Sequence, residues 1–197
     1  MNLANLITSS RIYLSPFFFT VYFLPIWTGK FHIVSIVLLW FLFIVIELSD
    51  LFDGIVARLR KEVTDLGKIL DPFSDVISRI TYFTCFTVTG IMPEWLFVVF
   101  MYREFGIIFL RGIMLKKGIA MGARLGGKLK AVMYALSGIF GLIYLSMSRL
   151  NIFTEFLWLT KNTSFVIFCL AAVFAVISFF DYLVFVKKSN GILTEKG

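Results

Sequence analysis

The stretch HIVSIVLLWFLFIVIELS, residues 32–49, is followed directly by DLFDGIVAR, residues 50–58. The first segment approaches the roughly 20 apolar residues that a helix needs to cross a bilayer. The second carries two aspartates, and ionisable residues at a membrane are costly and usually functional. The boundary at residue 49 therefore predicts a membrane-spanning helix that ends in a functional polar segment.

Six apolar runs of this kind lie along the 197 residues, which are 59% hydrophobic with a mean hydropathy of +0.92. A soluble domain is closer to half apolar. The runs cover residues 12–27, 32–49, 76–91, 95–115, 131–147 and 165–185. They predict an all-α integral membrane protein, a single domain over residues 1–197. Its six transmembrane helices form a bundle over 12–187, followed by a cytoplasmic tail over 188–197.

The first eleven residues carry Leu3, Leu6 and Ile7 at helical spacing, with asparagine and serine on much of the other side. This pattern predicts a short amphipathic helix on the membrane surface over residues 1–11. A frayed terminus is the alternative.

The net charge of +7 comes from 19 basic and 12 acidic residues. Basic residues concentrate at alternate ends of the apolar runs, and cytoplasmic loops of membrane proteins are rich in lysine and arginine. Only Lys30, Arg149 and Lys161 fall at the opposite ends. We therefore expect both termini and residues 50–75 on the cytoplasmic side, in a bacterial inner membrane. The positive net charge is then explained by the orientation of the protein in the membrane and does not indicate nucleic-acid binding.

Two aspartate pairs stand out between residues 50 and 75. Asp50 and Asp53 are three residues apart, and Asp71 and Asp75 are four apart, so each pair shares a helical face. If the two helices return past each other, four mutually repelling carboxylates meet near the membrane surface. Divalent cations would relieve that repulsion, and all-oxygen ligands favour Mg²⁺ or Mn²⁺ over zinc. Four separately solvated aspartates are the alternative.

Small residues accompany these aspartates. A glycine inside a helix costs roughly 1 kcal/mol relative to alanine, so Gly54 and Gly67 indicate close approach of a ligand or another helix. Ala57 keeps the same strip narrow. Arg58, one turn beyond Gly54, could reach a phosphate.

The whole pattern, D-x2-D-G-x2-A-R-x8-G-x3-D-x3-D, resembles the signature of the CDP-alcohol phosphotransferases, with all eight fixed positions present. The resemblance implies a six-span homodimer that transfers a phosphatidyl group from CDP-diacylglycerol and releases cytidine monophosphate. It implies a donor site near Gly54, Ala57, Arg58 and Gly67. It also implies two divalent ions held by the carboxylates of Asp50, Asp53, Asp71 and Asp75, with Asp75 as the general base.

A second polar cluster is formed by residues of the fourth run and of the segment just before the fifth run. Arg103, Glu104 and Arg111 lie in the fourth run, and Lys128 and Lys130 come just before the fifth. The positive charges exceed what one glutamate can balance, which predicts a binding site for the phosphate of the acceptor alcohol. The alternative is that Glu104 simply neutralises Arg111.

Several segments resemble the phosphatidylglycerophosphate synthase branch of that family, which implies sn-glycerol 3-phosphate as the acceptor. They are residues 5–11, 102–104, 111 and 127–130. Ser74 and Val76 stand where that branch commonly has alanine and lysine. Arg79, one helical turn after Asp75, could supply the missing charge.

Three other functions are compatible with parts of this pattern. The same chemistry could use serine, choline or inositol phosphate, although an acceptor without a phosphate would not need the basic cluster. A cation transporter could use intramembrane aspartates, but it would favour internal repeats, and the sequence has none. A non-catalytic scaffold would tolerate aspartate-to-asparagine changes.

Overall fold

The computed structural model describes the backbone of residues 3–60, 65–119, 121 and 125–194, and the side chains of residues 8–49, 67, 70–119, 121 and 126–189. Within these ranges the chain is all-helical, as predicted, with six α-helices and no strand. The elements are α1 Leu3–Thr28, α2 His32–Arg60, α3 Asp65–Val88, α4 Glu94–Lys116, α5 Leu125–Leu150 and α6 Leu157–Thr194, with a 3₁₀ helix, Thr154–Phe156, before α6.

Each predicted apolar run lies in a different helix, with one error at a boundary. The run over 76–91 extends past the end of α3 at Val88. Gly90 turns the chain there with φ of 71°, a conformation that favours glycine. Pro93 then precedes the first turn of α4, where its missing N–H costs no helical hydrogen bond.

Three segments in the described part of the chain are long and apolar enough to cross a membrane: His32–Ser49, Gly126–Leu150 and Thr154–Ser189. These segments make the chain an integral membrane protein. The other helices, α1, α3 and α4, carry buried charged side chains, namely Arg11, Arg79, Arg103 and Glu104.

The surface helix predicted for residues 1–11 is not a separate element. Residues 3–28 form one continuous helix, and Thr8 and Arg11 are buried in it. The polar segment joins the bundle because α3 supplies carboxylates that neutralise Arg11. At the other end of the chain α6 continues to Thr194, so the segment predicted as a tail is helical to that residue.

Aromatic rings form the centre of the bundle, where α3, α4, α5 and α6 meet. The ring of Phe83 lies 4.7 Å from that of Phe100 and 5.3 Å from that of Tyr134, centroid to centroid. All three side chains are fully buried. At one end of the bundle Arg149 of α5 donates to the Ser35 hydroxyl at 2.9 Å and to the Tyr22 carbonyl at 3.0 Å. These bonds tie α5 to α1 and α2.

Glycine at two places in α5 allows that close packing. A β-carbon added at Gly141 would lie 2.6 Å from the Phe86 ring, and one at Gly138 would overlap the Phe43 ring. Both rings are buried, so they have little room to move aside.

We therefore expect Gly141→Ala to lower the thermal unfolding midpoint of the purified protein in detergent. Overpacking a core costs about 1–3 kcal/mol. The matched control is Gly112→Ala in α4, where an added β-carbon meets nothing within 4 Å. That variant should keep or raise the midpoint, since alanine favours helix. Equal midpoints for the two variants would contradict this packing.

Candidate active site

A cavity of about 210 Å³ lies among α3, α4, α5 and α6. Its lining is strongly charged, with five basic and three acidic side chains. The basic ones are Arg79, Arg103, Arg111, Lys128 and Lys130, and the acidic ones are Asp71, Asp75 and Glu104. One cavity thus joins both α3 aspartates of the predicted metal site to every residue of the predicted phosphate site.

The aspartates occupy one side of this cavity, one helical turn apart on α3. Arg11 of α1 donates from Nη2 to Asp71 at 2.9 Å and from Nη1 to Asp75 at 3.5 Å. Arg79, one turn further along α3, contacts the other oxygen of Asp75. The side chain of Arg11 is only 1% exposed, whereas that of Asp71 is 53% exposed. Arg11 therefore contacts the carboxylates from the buried side and leaves them accessible from the cavity.

Arg11 and Tyr182 are site residues that the sequence did not assign. Arg11 ends the N-terminal segment that resembles the family, and that segment was the only signal for it. Arg79 was expected to supply the charge of the lysine that is missing after Asp75. Its guanidinium contacts the Asp75 carboxylate.

The other predicted donor-site and metal-site residues lie mostly outside the described side chains. Asp50, Asp53, Gly54, Ala57 and Arg58 belong to the helical backbone of α2, but their side chains are not described. Gly67 is described and partly buried in α3. Among the described residues no group of three or more carboxylate, histidine or cysteine side chains could hold a metal. The four-carboxylate cage therefore stays a prediction.

The opposite side of the cavity is built around Glu104, which is 3% exposed. One of its oxygens accepts from Arg103 at 2.9 Å and from Lys130 at 2.7 Å. The alternative that Glu104 neutralises Arg111 is therefore wrong. A buried carboxylate is satisfied best by close cationic partners, and Arg103 and Lys130 are those partners.

Arg111 has a different environment. Its Nη2 donates to the Tyr182 hydroxyl at 3.3 Å, and its guanidinium carbon lies 5.8 Å from the centre of that ring. Within the described part of the chain, its buried Nε has no hydrogen-bond partner. Lys128 also lines the cavity and is exposed, whereas Lys130 is buried, as expected for residues two apart on a helix.

The two sides of the cavity offer complementary chemistry. Carboxylate oxygens on α3 can bind a cation or accept a proton. The guanidinium and ammonium groups of α4 and α5 can bind an anion such as a phosphate. A ligand that carries both a proton to be removed and a phosphate would fit between them.

Comparison with known proteins identifies relatives along most of the chain. Residues 1–161 match the family model described as CDP-alcohol phosphatidyltransferase. A CDP-diacylglycerol–glycerol-3-phosphate 3-phosphatidyltransferase of Treponema pallidum (strain Nichols) is 31% identical over 191 residues, which covers 93% of this chain and 88% of the relative. A protein of the same name from Aquifex aeolicus (strain VF5) is 29% identical over 187 residues, covering 92% and 94%. One from Bacillus subtilis (strain 168) is 31% identical over 135 residues, covering 66% and 70%.

We expect Glu104→Gln to destabilise the protein strongly. The change removes the one negative charge that is paired with both buried Arg103 and buried Lys130. Breaking a buried ion pair by removing one partner costs about 3–5 kcal/mol. Thermal unfolding in detergent measures the effect, with Glu155→Gln at an exposed position as the control. If both variants unfolded at the wild-type temperature, the buried ion pairs would not stabilise the protein as described.

Proposed function

Because the chain belongs to the CDP-alcohol phosphatidyltransferase family, we propose that it transfers the phosphatidyl group of CDP-diacylglycerol to sn-glycerol 3-phosphate. The products are phosphatidylglycerophosphate and cytidine monophosphate. Membership makes the chain a transferase of phospholipid biosynthesis, and the relatives named above suggest the acceptor. The observation that carries the proposal is the shared cavity, in which aspartates of the family signature face a wall of positive charge.

The α3 carboxylates suit the donor half of the reaction. A diphosphate needs counter-charges, and oxygen ligands are those that Mg²⁺ and Mn²⁺ prefer. Asp71 and Asp75 offer carboxylate oxygens at the cavity, and with Asp50 and Asp53 they would hold two divalent ions. When bound, such ions would neutralise the diphosphate and stabilise the departing oxygen of cytidine monophosphate. Gly54, Ala57, Arg58 and Gly67 would contact the donor.

Asp75 would act as the general base. The acceptor hydroxyl attacks the lipid-bearing phosphorus, its proton passes to Asp75, and the bond from that phosphorus to cytidine monophosphate breaks. Arg11 and Arg79 already contact this carboxylate. A carboxylate is the kind of group that can accept the hydroxyl proton. The two arginines would hold the base in place through the reaction.

The basic wall suits the acceptor half. Arg103 and Lys130 are committed to Glu104, whereas Arg111 and Lys128 face the cavity without a carboxylate partner among the described residues. Arg111 and Lys128 would therefore make the direct bonds to the acceptor phosphate. Arg103 and Lys130 would add positive potential behind them.

We extend the proposal to the protein's place in the membrane. All six α-helices would cross the bilayer, and the cavity would open on the cytoplasmic side of a bacterial inner membrane. The cavity lies at the end of the bundle that is rich in basic residues. Its lining includes Asp71 near the start of α3, Arg111 near the end of α4 and Lys128 near the start of α5. Two copies would form the homodimer that is expected of this family.

Purified protein with labelled CDP-diacylglycerol should convert sn-glycerol 3-phosphate to lipid, and should not convert serine, choline or inositol phosphate. Asp75→Asn should lower kcat by about 10²–10⁴-fold, the contribution typical of a general base. Glu94→Gln, at the start of α4 and away from the cavity, is the control. Consumption of serine in place of glycerol 3-phosphate would overturn the acceptor. Full activity of Asp75→Asn would overturn the base.

Removal of divalent ions with a chelator should abolish the release of cytidine monophosphate, and Mg²⁺ or Mn²⁺ should restore it. Equilibrium binding of Mn²⁺, followed by electron paramagnetic resonance, should weaken in Asp71→Asn and not in Glu94→Gln, because only the former loses an oxygen ligand. Turnover that persists in the chelator would contradict a metal-dependent mechanism. Metal flux into proteoliposomes without release of cytidine monophosphate would favour a transporter.

A further inference from the structure

Two residues of α6 hold the two arginines of the basic wall. Ser178 and Tyr182 lie one helical turn apart, beyond residue 161, where the match to the family model ends. We infer that Tyr182 positions the Arg111 guanidinium for the acceptor phosphate, and that Ser178 fixes Arg103, which stays bonded to Glu104 and adds positive potential to the same site. This inference rests on the function proposed above and assigns to α6 a part in selecting the acceptor.

The contacts of Tyr182 are directed at the binding group of Arg111. Its hydroxyl accepts a bond from Nη2 at 3.3 Å, and its ring lies beneath the guanidinium. Tyr182 is 1% exposed and lines the same cavity as Arg111. A guanidinium that is anchored at one amino group and packed on a ring loses less freedom when a phosphate binds it.

Ser178 makes the equivalent contact one turn earlier. Its hydroxyl accepts from Arg103 Nη2 at 2.8 Å, while Nη1 of the same arginine bonds to Glu104 at 2.9 Å. Ser178 is fully buried. Each of the two α6 residues therefore bonds to one arginine of α4, Ser178 to Arg103 and Tyr182 to Arg111. The two arginines lie two helical turns apart.

A glycine pair at the start of α5 packs against these two residues. A β-carbon on Gly126 would lie 3.4 Å from the Ser178 backbone, and one on Gly127 would lie 3.4 Å from the Tyr182 hydroxyl. Both distances are those of van der Waals contact, so α5 and α6 pack directly against each other at these positions. Lys128 follows directly, which brings the lysine and the anchored Arg111 to the same cavity.

The test is steady-state kinetics of Tyr182→Phe, which removes the acceptor oxygen and keeps the ring. The KM for glycerol 3-phosphate should rise about five- to tenfold, the net contribution of one typical hydrogen bond. The KM for CDP-diacylglycerol and kcat should change less than about twofold on the same scale. Tyr144→Phe is the matched control, since Tyr144 lines a separate pocket with Arg149.

A double-mutant cycle separates positioning from general stability. In an Arg111→Gln background, Tyr182→Phe should cause no further rise in KM, because the group that it positions is gone. Ser178→Ala should raise the same KM by a smaller factor, because Arg103 acts on the phosphate through its charge and not through a direct bond. Its control is Ser164→Ala, a buried α6 serine whose hydrogen bonds within the described part of the chain go to backbone carbonyls. If the fold-changes in KM caused by Tyr182→Phe and Arg111→Gln multiply in the double mutant, the inference is overturned. An equal rise in KM for glycerol 3-phosphate and for CDP-diacylglycerol in Tyr182→Phe would also overturn it.

The outcomes also distinguish this inference from the function on which it rests. A wild-type protein that ignores glycerol 3-phosphate would overturn both. A wild-type protein that uses it, together with unchanged KM values in Tyr182→Phe and Ser178→Ala, would overturn the inference alone.

Discussion

Charged side chains between apolar helices need oppositely charged partners inside the protein, because little water is available to solvate them. Two groups of ion pairs meet this requirement here. Arg11 and Arg79 pair with the α3 aspartates, and Glu104 is the shared carboxylate partner of Arg103 and Lys130. The first group joins α1 to α3 and the second joins α4 to α5, so the pairs that permit burial also hold these helices together two by two.

The division of charge between these groups shapes the cavity. Asp71 remains half exposed although its partner is buried, and Arg111 bonds to a tyrosine instead of a carboxylate. Arg103 and Lys130 of the cavity lining are therefore paired with Glu104, whereas Asp71 and Arg111 are more available to a ligand. That arrangement suits a ligand that is itself charged at both ends, as a phosphorylated alcohol beside a diphosphate would be.

Much of the fold followed from the sequence, since long apolar runs allow few structures other than membrane helices. The choice of candidate residues around the cavity also followed, because the aspartates and the basic residues have few other uses within apolar helices. Interhelical partners could not be predicted in this way. Periodicity places Glu104 on a face of α4, but it does not say whether Arg111 or Lys130 of α5 reaches it.

The same limit explains Arg11 and Tyr182. Arg11 was assigned to a surface helix because the polar residues around it indicate an amphipathic segment, and the carboxylates that bury it are some 60 residues away. Tyr182 follows Asp181 in a mostly apolar helix, where nothing in the local pattern pairs it with Arg111 of α4. Both assignments need contacts between distant segments, which only the tertiary structure supplies.

The central claim is that metal-bound donor and acceptor phosphate meet in one cavity. Anomalous diffraction from crystals grown with Mn²⁺ and glycerol 3-phosphate tests it most directly. The account predicts a manganese signal beside Asp71 and Asp75, and phosphate density within hydrogen-bonding distance of Arg111 and Lys128. Manganese away from these aspartates, or phosphate bound at the far end of the bundle near Arg149, would contradict it.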